Sequence, residues 1–201
     1  QAGLRWRVPK SLIAELRGQT IRSVARRAKY LLLGTDAGTV ILHLGMSGSL
    51  RIVPAANPPT RHDHVDIVLA DGRCLRLRDP RRFGTLLWTR RDPARHRLLR
   101  ALGPEPLGPG LTADYLYTAS RGRRLALRDF LMNSRIVAGL GNIYANEAAF
   151  LAGLRPQRRT GRLTHGDCER LAAAIRRTLQ HAITAGGTTL RDFQNADGLP
   201  G

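Results

Sequence analysis

The stretch from Asn133 to Pro156 limits what this chain can fold into more than any other. It is the hinge of two apolar helical runs broken by glycine. Leu125 to Met132 carries Leu125, Leu127, Phe130 and Leu131. Beyond it Ile143, Ala148, Leu151 and Ala152 recur at helical spacing until Gly153 and Pro156 stop the run. Between the two stands Gly139-Leu-Gly141-Asn142. The glycines permit backbone angles that a Cβ forbids, and Asn142 is expected to cap a helix starting at Ile143. Peptide N–H groups left bare at a helix start form a seat for a phosphate oxygen. An ordinary helical hairpin fits the same pattern. The neighbours favour a nucleic-acid backbone: Arg121, Arg123, Arg124, Arg128 and Arg135 come before the turn, and Arg155, Arg158, Arg159 and Arg162 after it.

The whole chain carries the same bias. Its 201 residues have a formal net charge of +18 and a pI of about 11.6, an excess that binds polyanions. Hydrophobic content of 42% is that of a globular protein, not a disordered one. No apolar run approaches the roughly 20 residues needed to span a bilayer, and the start has no signal-peptide core. A soluble, cytoplasmic, nucleoid-associated monomer without membrane contact is expected. Cys74 and Cys168 match no zinc spacing and are read as reduced and structural. His62 and His64 have no further ligands around them, so no metal site is expected.

Taken in order, the first half reads as β structure after one short helix, Pro9 to Leu16, with Leu12, Ile13 and Leu16 apolar and Gly18 ending it. Strands are expected over Thr20 to Ala25, Tyr30 to Leu33, Thr39 to Leu44, Ser49 to Val53, Val65 to Leu69, Cys74 to Arg78 and Gly84 to Thr89. Asp71-Gly72 marks a hairpin turn and Pro54 to Pro59 a loop. From Pro93 the pattern turns helical: Ala94 to Leu102, then Thr112 capping a helix through Thr118, then the glycine-broken pair. Thr164 caps a long helix to about Ala185, with Leu171, Ala174, Ile175, Thr178, Leu179 and Ile183 on one face and Gly186-Gly187 at its end. The fold class is α+β, a two-sheet sandwich followed by a helical domain. The domains are 1–103 and 111–201, joined by the glycine- and proline-rich linker 104–110.

Two positions carry chemistry by residue type. Of 33 basic residues only Lys10 and Lys29 are lysines. Arginine stays protonated, whereas a partly buried lysine can exchange a proton. Lys29 is thus a candidate for phosphate contact or acid–base work, against the alternative of a chance surface lysine. Met46 sits in the tight turn Gly45-Met-Ser-Gly48. It is either a core plug or an apolar wedge pushed into a base stack where a nucleotide has been turned out.

Arg135-Ile-Val-Ala-Gly-Leu-Gly-Asn-Ile-Tyr-Ala-Asn-Glu147 resembles the helix–two-turns–helix signature of the bacterial formamidopyrimidine-DNA glycosylases, the 8-oxoguanine repair enzymes. Arg26-Arg-Ala-Lys29-Tyr-Leu-Leu-Leu, His43-Leu-Gly-Met46-Ser-Gly-Ser-Leu-Arg51 and Asp79-Pro-Arg81-Arg82-Phe83-Gly84 agree in the family's order, and the similarity spans essentially the whole chain. The resemblance implies base-excision repair: binding damaged duplex DNA, flipping out and excising oxidised purines, then cutting the abasic strand by β/δ-elimination. It implies that Lys29 binds phosphate beside the lesion and assists elimination. It gives Met46, Arg81 and Phe83 the task of filling the gap, and has His43, His62, Arg123, Gly141 and Asn142 touch the DNA backbone. Ala196 to Gly201 matches the start of the loop that closes over the flipped base. Thr60 departs from the glutamate of many relatives near the damaged base, and Arg135 replaces a lysine of some.

The family's covalent chemistry starts at a free N-terminal proline next to a glutamate, through amine attack on the sugar and a Schiff base. This chain begins Gln1-Ala-Gly-Leu. An internal proline nitrogen is locked in a tertiary amide and cannot substitute. The family's C-terminal zinc finger, with its one zinc, is not among these residues either, so no cofactor is expected in this chain. The expectation is a fragment that binds DNA without turnover. The alternatives are a catalytically silent DNA-binding relative that recognises distorted duplexes, and a ribosomal protein sharing the two-turn helix motif. The Met46 and Arg81-Arg82-Phe83 blocks argue against the last.

Overall fold

The computed structural model describes residues 4–187. The chain divides into two compact units, one reaching to His96 and the other spanning Arg97–Gly187.

The first unit opens with α1 (Lys10–Leu16), which Pro9 precedes and Gly18, at φ +72°, follows. Leu12 is buried, but Ile13 is 74% exposed and contributes nothing to the core. Seven strands follow: β1 (Ser23–Arg27), β2 (Tyr30–Gly34), β3 (Thr39–His43), β4 (Ser49–Pro54), β5 (Asp63–Val68), β6 (Arg73–Arg78) and β7 (Thr85–Thr89). They form two antiparallel sheets, ordered β1-β2-β3-β7 and β4-β6-β5. Leu12, Leu33, Val40, Leu42 and Leu86 pack with Leu50, Val65, Ile67 and Leu75, so the core lies between the sheets. The expected strand Thr20 to Ala25 is displaced to Ser23–Arg27, and it is exposed rather than half-buried. Its register is set by pairing with β2 across the Ala28-Lys29 turn, from Arg27↔Tyr30 to Ser23↔Gly34, and not by a buried face.

Two connections in this unit cross from sheet to sheet: β3 to β4, through residues 44–48, and β6 to β7, through residues 79–84. The registers put them at the same end. Tyr30, His43 and Thr85 stand in one row across the first sheet, and Ser49, Arg78 and Asp63 in one row across the second.

The second unit is helical: α2 (Ala113–Ser120), α3 (Leu127–Met132), α4 (Asn142–Leu151) and α5 (His165–Thr184). Instead of a helix over Ala94 to Leu102, only a short 3-10 turn forms at Pro93–Arg95. Of that run only Leu99 is buried, and a helix with no face to bury gains little from packing. The Gly103 to Gly110 segment is tied down: Gly103 N–H donates to Ser134, Ala138 N–H donates to Pro104, and Arg176 donates to the carbonyls of Gly108 and Leu111. Thr112 caps α2 by accepting from Tyr115 N–H. Thr164 and Asp167 cap α5 reciprocally. The core gathers Leu116, Leu127, Phe130, Leu131, Leu140, Leu171 and Ile175 around an alanine face of α4, made by Ala145, Ala148, Ala149 and Ala152. Leu151 and Ile183, expected inward, are 44% and 62% exposed.

Candidate nucleic-acid interface

The first unit's candidates all fall at the sheet end where the two crossings meet. Lys29 sits on the Ala28-Lys29 turn before Tyr30. That turn holds Ala28 at φ +52°, a conformation an L-residue adopts at a cost. Its ammonium side chain is accessible, yet the protein mass around it pushes the Lys29 pKa below the ordinary lysine value. Tyr30 pairs with His43 across the sheet, their rings 4.9 Å apart. Burial, with Lys29 and then Arg5 as neighbouring cations, pushes the His43 pKa down. Its Nδ1 accepts the Gly45 N–H at 2.9 Å, which leaves the neutral ring's proton on Nε2. Lys29, Arg5 and the His43 Nε2–H thus form a cluster of donors suited to an anion.

Met46, three residues on, is 71% exposed, and Phe83 is 42% exposed. Neither is a core plug. Their turns touch backbone to backbone: a Cβ built on Gly45, itself at φ +73°, lies 2.6 Å from the Phe83 carbonyl carbon and 2.8 Å from the Gly84 nitrogen. Arg81 lays its guanidinium 5.1 Å from the Phe83 ring centroid. Arg82, between them, holds φ +60°, strain of the kind found where a turn is forced to aim side chains. His62 precedes β5 at the same end, and its carbonyl accepts from Asp79 N–H. Lys29, His43, Met46, His62, Arg81 and Phe83 therefore share one end of one unit.

In the second unit Gly139 takes φ +75°, while Gly141 is extended at φ −101°. Only Gly139 needs glycine for its backbone angle. The expected cap is corrected: Gly141 is the N-cap of α4, Asn142 is the first helical residue, and no side chain caps the helix. The Asn142 carboxamide oxygen instead accepts from Asn146 at 3.2 Å. The correction leaves the first N–H groups of α4 without a side-chain acceptor, and no acidic residue stands in its first turn. α3 likewise begins at Leu127, two residues after its expected start, because the Leu125 carbonyl accepts from Thr160. Arg123 is exposed, and its Nε donates to the Ala119 carbonyl at 2.6 Å. The Ala196 to Gly201 loop lies outside the described residues.

Sequence reasoning passed over Asp79, Ser47 and Arg5. Asp79 is fully buried at the centre of the crossing, and an acid at the head of an otherwise cationic turn was the available signal. Among the described residues no group of His, Cys, Asp and Glu could hold a metal ion. Cys74 and Cys168 are single buried thiols. Among the described residues no helix is long and apolar enough to cross a membrane.

Residues 1–86 match the family model of the formamidopyrimidine-DNA glycosylase N-terminal domain, and residues 102–194 that of the formamidopyrimidine-DNA glycosylase H2TH domain. The formamidopyrimidine-DNA glycosylase of Thioalkalivibrio sulfidiphilus is 56% identical over 198 residues, 98% of this chain and 73% of that protein. The crystal structure of MutM (Fpg) from Thermus thermophilus aligns with a TM-score of 0.86 at 38% identity, over 97% of this chain and 72% of that one. Lactococcus lactis Fpg, in complex with DNA containing an abasic site, aligns with a TM-score of 0.87 at 31% identity, over 96% and 71%.

Proposed function

The chain belongs to the formamidopyrimidine-DNA glycosylase family, and on that premise we propose how its residues divide the work. The protein is a bacterial base-excision repair enzyme: a glycosylase that removes oxidised purines from DNA and a lyase that cuts at the resulting abasic site. Duplex DNA is its partner. It works on the chromosome, in the bacterial cytoplasm.

Met46, Arg81 and Phe83 fill the gap left by the extruded nucleotide. The observation that carries this reading is the pairing of two exposed apolar side chains on backbone-locked turns. Their exposure in water costs about 25 cal/mol per Å² of apolar area, which insertion into a base stack recovers. The Arg81 guanidinium is a planar fork suited to the orphaned partner base. Lys29 and His43 hold phosphate beside the lesion, and the lowered Lys29 pKa fits an assisting role in elimination. His62 and Arg123 contact the backbone, while Gly141 and Asn142 offer the bare start of α4 to another phosphate.

A polypeptide of residues 1–201 should bind a damaged duplex more tightly than an intact one. The test compares an 8-oxoguanine duplex with the undamaged duplex of the same sequence. Anisotropy should show binding to the damaged duplex well above that to the undamaged one. Equal affinity for intact and damaged DNA overturns the gap-filling reading.

A further inference from the structure

We propose that Asp79 is the positioning residue of the gap-filling side chains: its buried carboxylate, through Ser47, locks the Met46 turn to the Arg81–Phe83 turn so that they enter DNA as one body. The inference rests on the reading of Met46 and Phe83 given above.

Asp79 is 0% exposed. Its Oδ1 accepts from the Ser47 hydroxyl at 3.1 Å, and its Oδ2 from the Gly84 N–H at 2.6 Å. Ser47 follows Met46 directly, and Gly84 follows Phe83 directly. One carboxylate therefore holds the residue after each apolar wedge. The backbone of Asp79 extends the hold. Its N–H donates to the His62 carbonyl at 2.9 Å, and its carbonyl accepts from the His64 ring at 2.9 Å and from Arg82 N–H at 3.2 Å. Three loops at this end of the sandwich meet on a single residue.

The choice of an acid is informative in a chain with net charge +18. A buried carboxylate is expensive unless its oxygens are satisfied, and hydrogen bonds to a charged acceptor are about twice as strong as neutral ones. The arrangement also leaves no slack. A Cβ on Gly84 would lie 2.9 Å from Asp79 Oδ2 and 3.2 Å from the His43 carbonyl. A wedge that must displace stacked bases has to be held at both roots, since ordering a loose loop on binding costs part of the binding energy.

The experiment uses an abasic-analogue duplex with a fluorescent adenine analogue beside the site, whose emission rises on unstacking. Thermal melts of each variant check folding. Ser47→Ala should keep affinity for undamaged duplex and the melting temperature close to those of the parent. It should lose on the order of tenfold in preference for the damaged duplex, with a smaller emission rise, and Ser47→Thr should restore both. Asp79→Asn should show the same loss more strongly; should it fail to fold, the Ser47 pair decides alone. Met46→Ala tests the underlying reading. If it leaves the emission rise intact, the wedge is wrong. If Met46→Ala abolishes the rise while folded Ser47→Ala leaves preference and emission unchanged, the wedge stands and the clamp is overturned.

Discussion

The Nδ1 of His43 accepts the backbone N–H of Gly45 at 2.9 Å, so one ring nitrogen of the candidate phosphate ligand is spent fixing the turn that carries Met46. Protonating that nitrogen breaks the bond. Burial, Lys29 and Arg5 together resist this, which is why the His43 pKa is lowered.

A pH dependence follows with a definite sign. With a folded pKa below the unfolded value of about 6.5, the unfolded chain binds the extra proton first. His43 thus costs no stability above that value, and stability is lost as pH falls below it toward the folded pKa. His165 runs the other way. The hydrogen bond to Asp114, then its charge and that of Glu169, raise its pKa, giving stability at low pH that is lost as pH rises through the folded value. Denaturant midpoints from pH 5 to 8 should show an acid limb that His43→Asn flattens, and a decline above about pH 6.5 that His165→Ala removes. A limb unaffected by His43→Asn would count against the neutral, acceptor state of that ring.

The two glycines before α4 should separate folding from binding. Gly139→Ala places a side chain at φ +75° and should cost about 1–2 kcal/mol of stability. Gly141 is extended, at φ −101°, so Gly141→Ala should leave the backbone angle unstrained and weaken duplex binding by shielding the helix start. Melting curves and anisotropy titrations on both variants check this. Equal behaviour of the two would remove the phosphate role of α4.

Salt should weaken binding steeply. If about five phosphates are engaged, log K against log salt on duplex DNA should slope at about −4 to −5, and Arg123→Ala should reduce the slope by about one. A flat response would contradict backbone recognition.

Asp167 holds the start of α5. Burial pushes its pKa up, but hydrogen bonds from Thr164 and the charges of Arg158 and Arg170 outweigh this and bring it below the usual aspartate value. Asp167→Ala should cost about 2–3 kcal/mol near neutral pH, and the stability Asp167 gives the parent should fade as pH drops through the carboxylate range. Chemical denaturation at pH 7 and pH 3 reads both effects.

What the sequence disclosed was local. Thr112 and Thr164 declare their helices because a cap needs only the residues beside it. Gly72 at φ +82° marks its hairpin for the same reason. What it hid was decided by distant partners. Ser47 meets Asp79 across 32 positions of sequence, and neither residue type announces the other. Asn142 reads as a cap by propensity, yet Gly141 takes the place and Asn142 turns to Asn146. The run Ala94 to Leu102 has helical spacing, but only Leu99 finds a core.

The near-collision of Gly45 with Phe83 and Gly84 has a consequence for anyone redesigning this protein. A side chain at position 45 would have to prise the Phe83–Gly84 backbone away. The groups that protrude at 46, 81 and 83 can be exchanged on an unchanged mount, as one changes the bit and keeps the chuck.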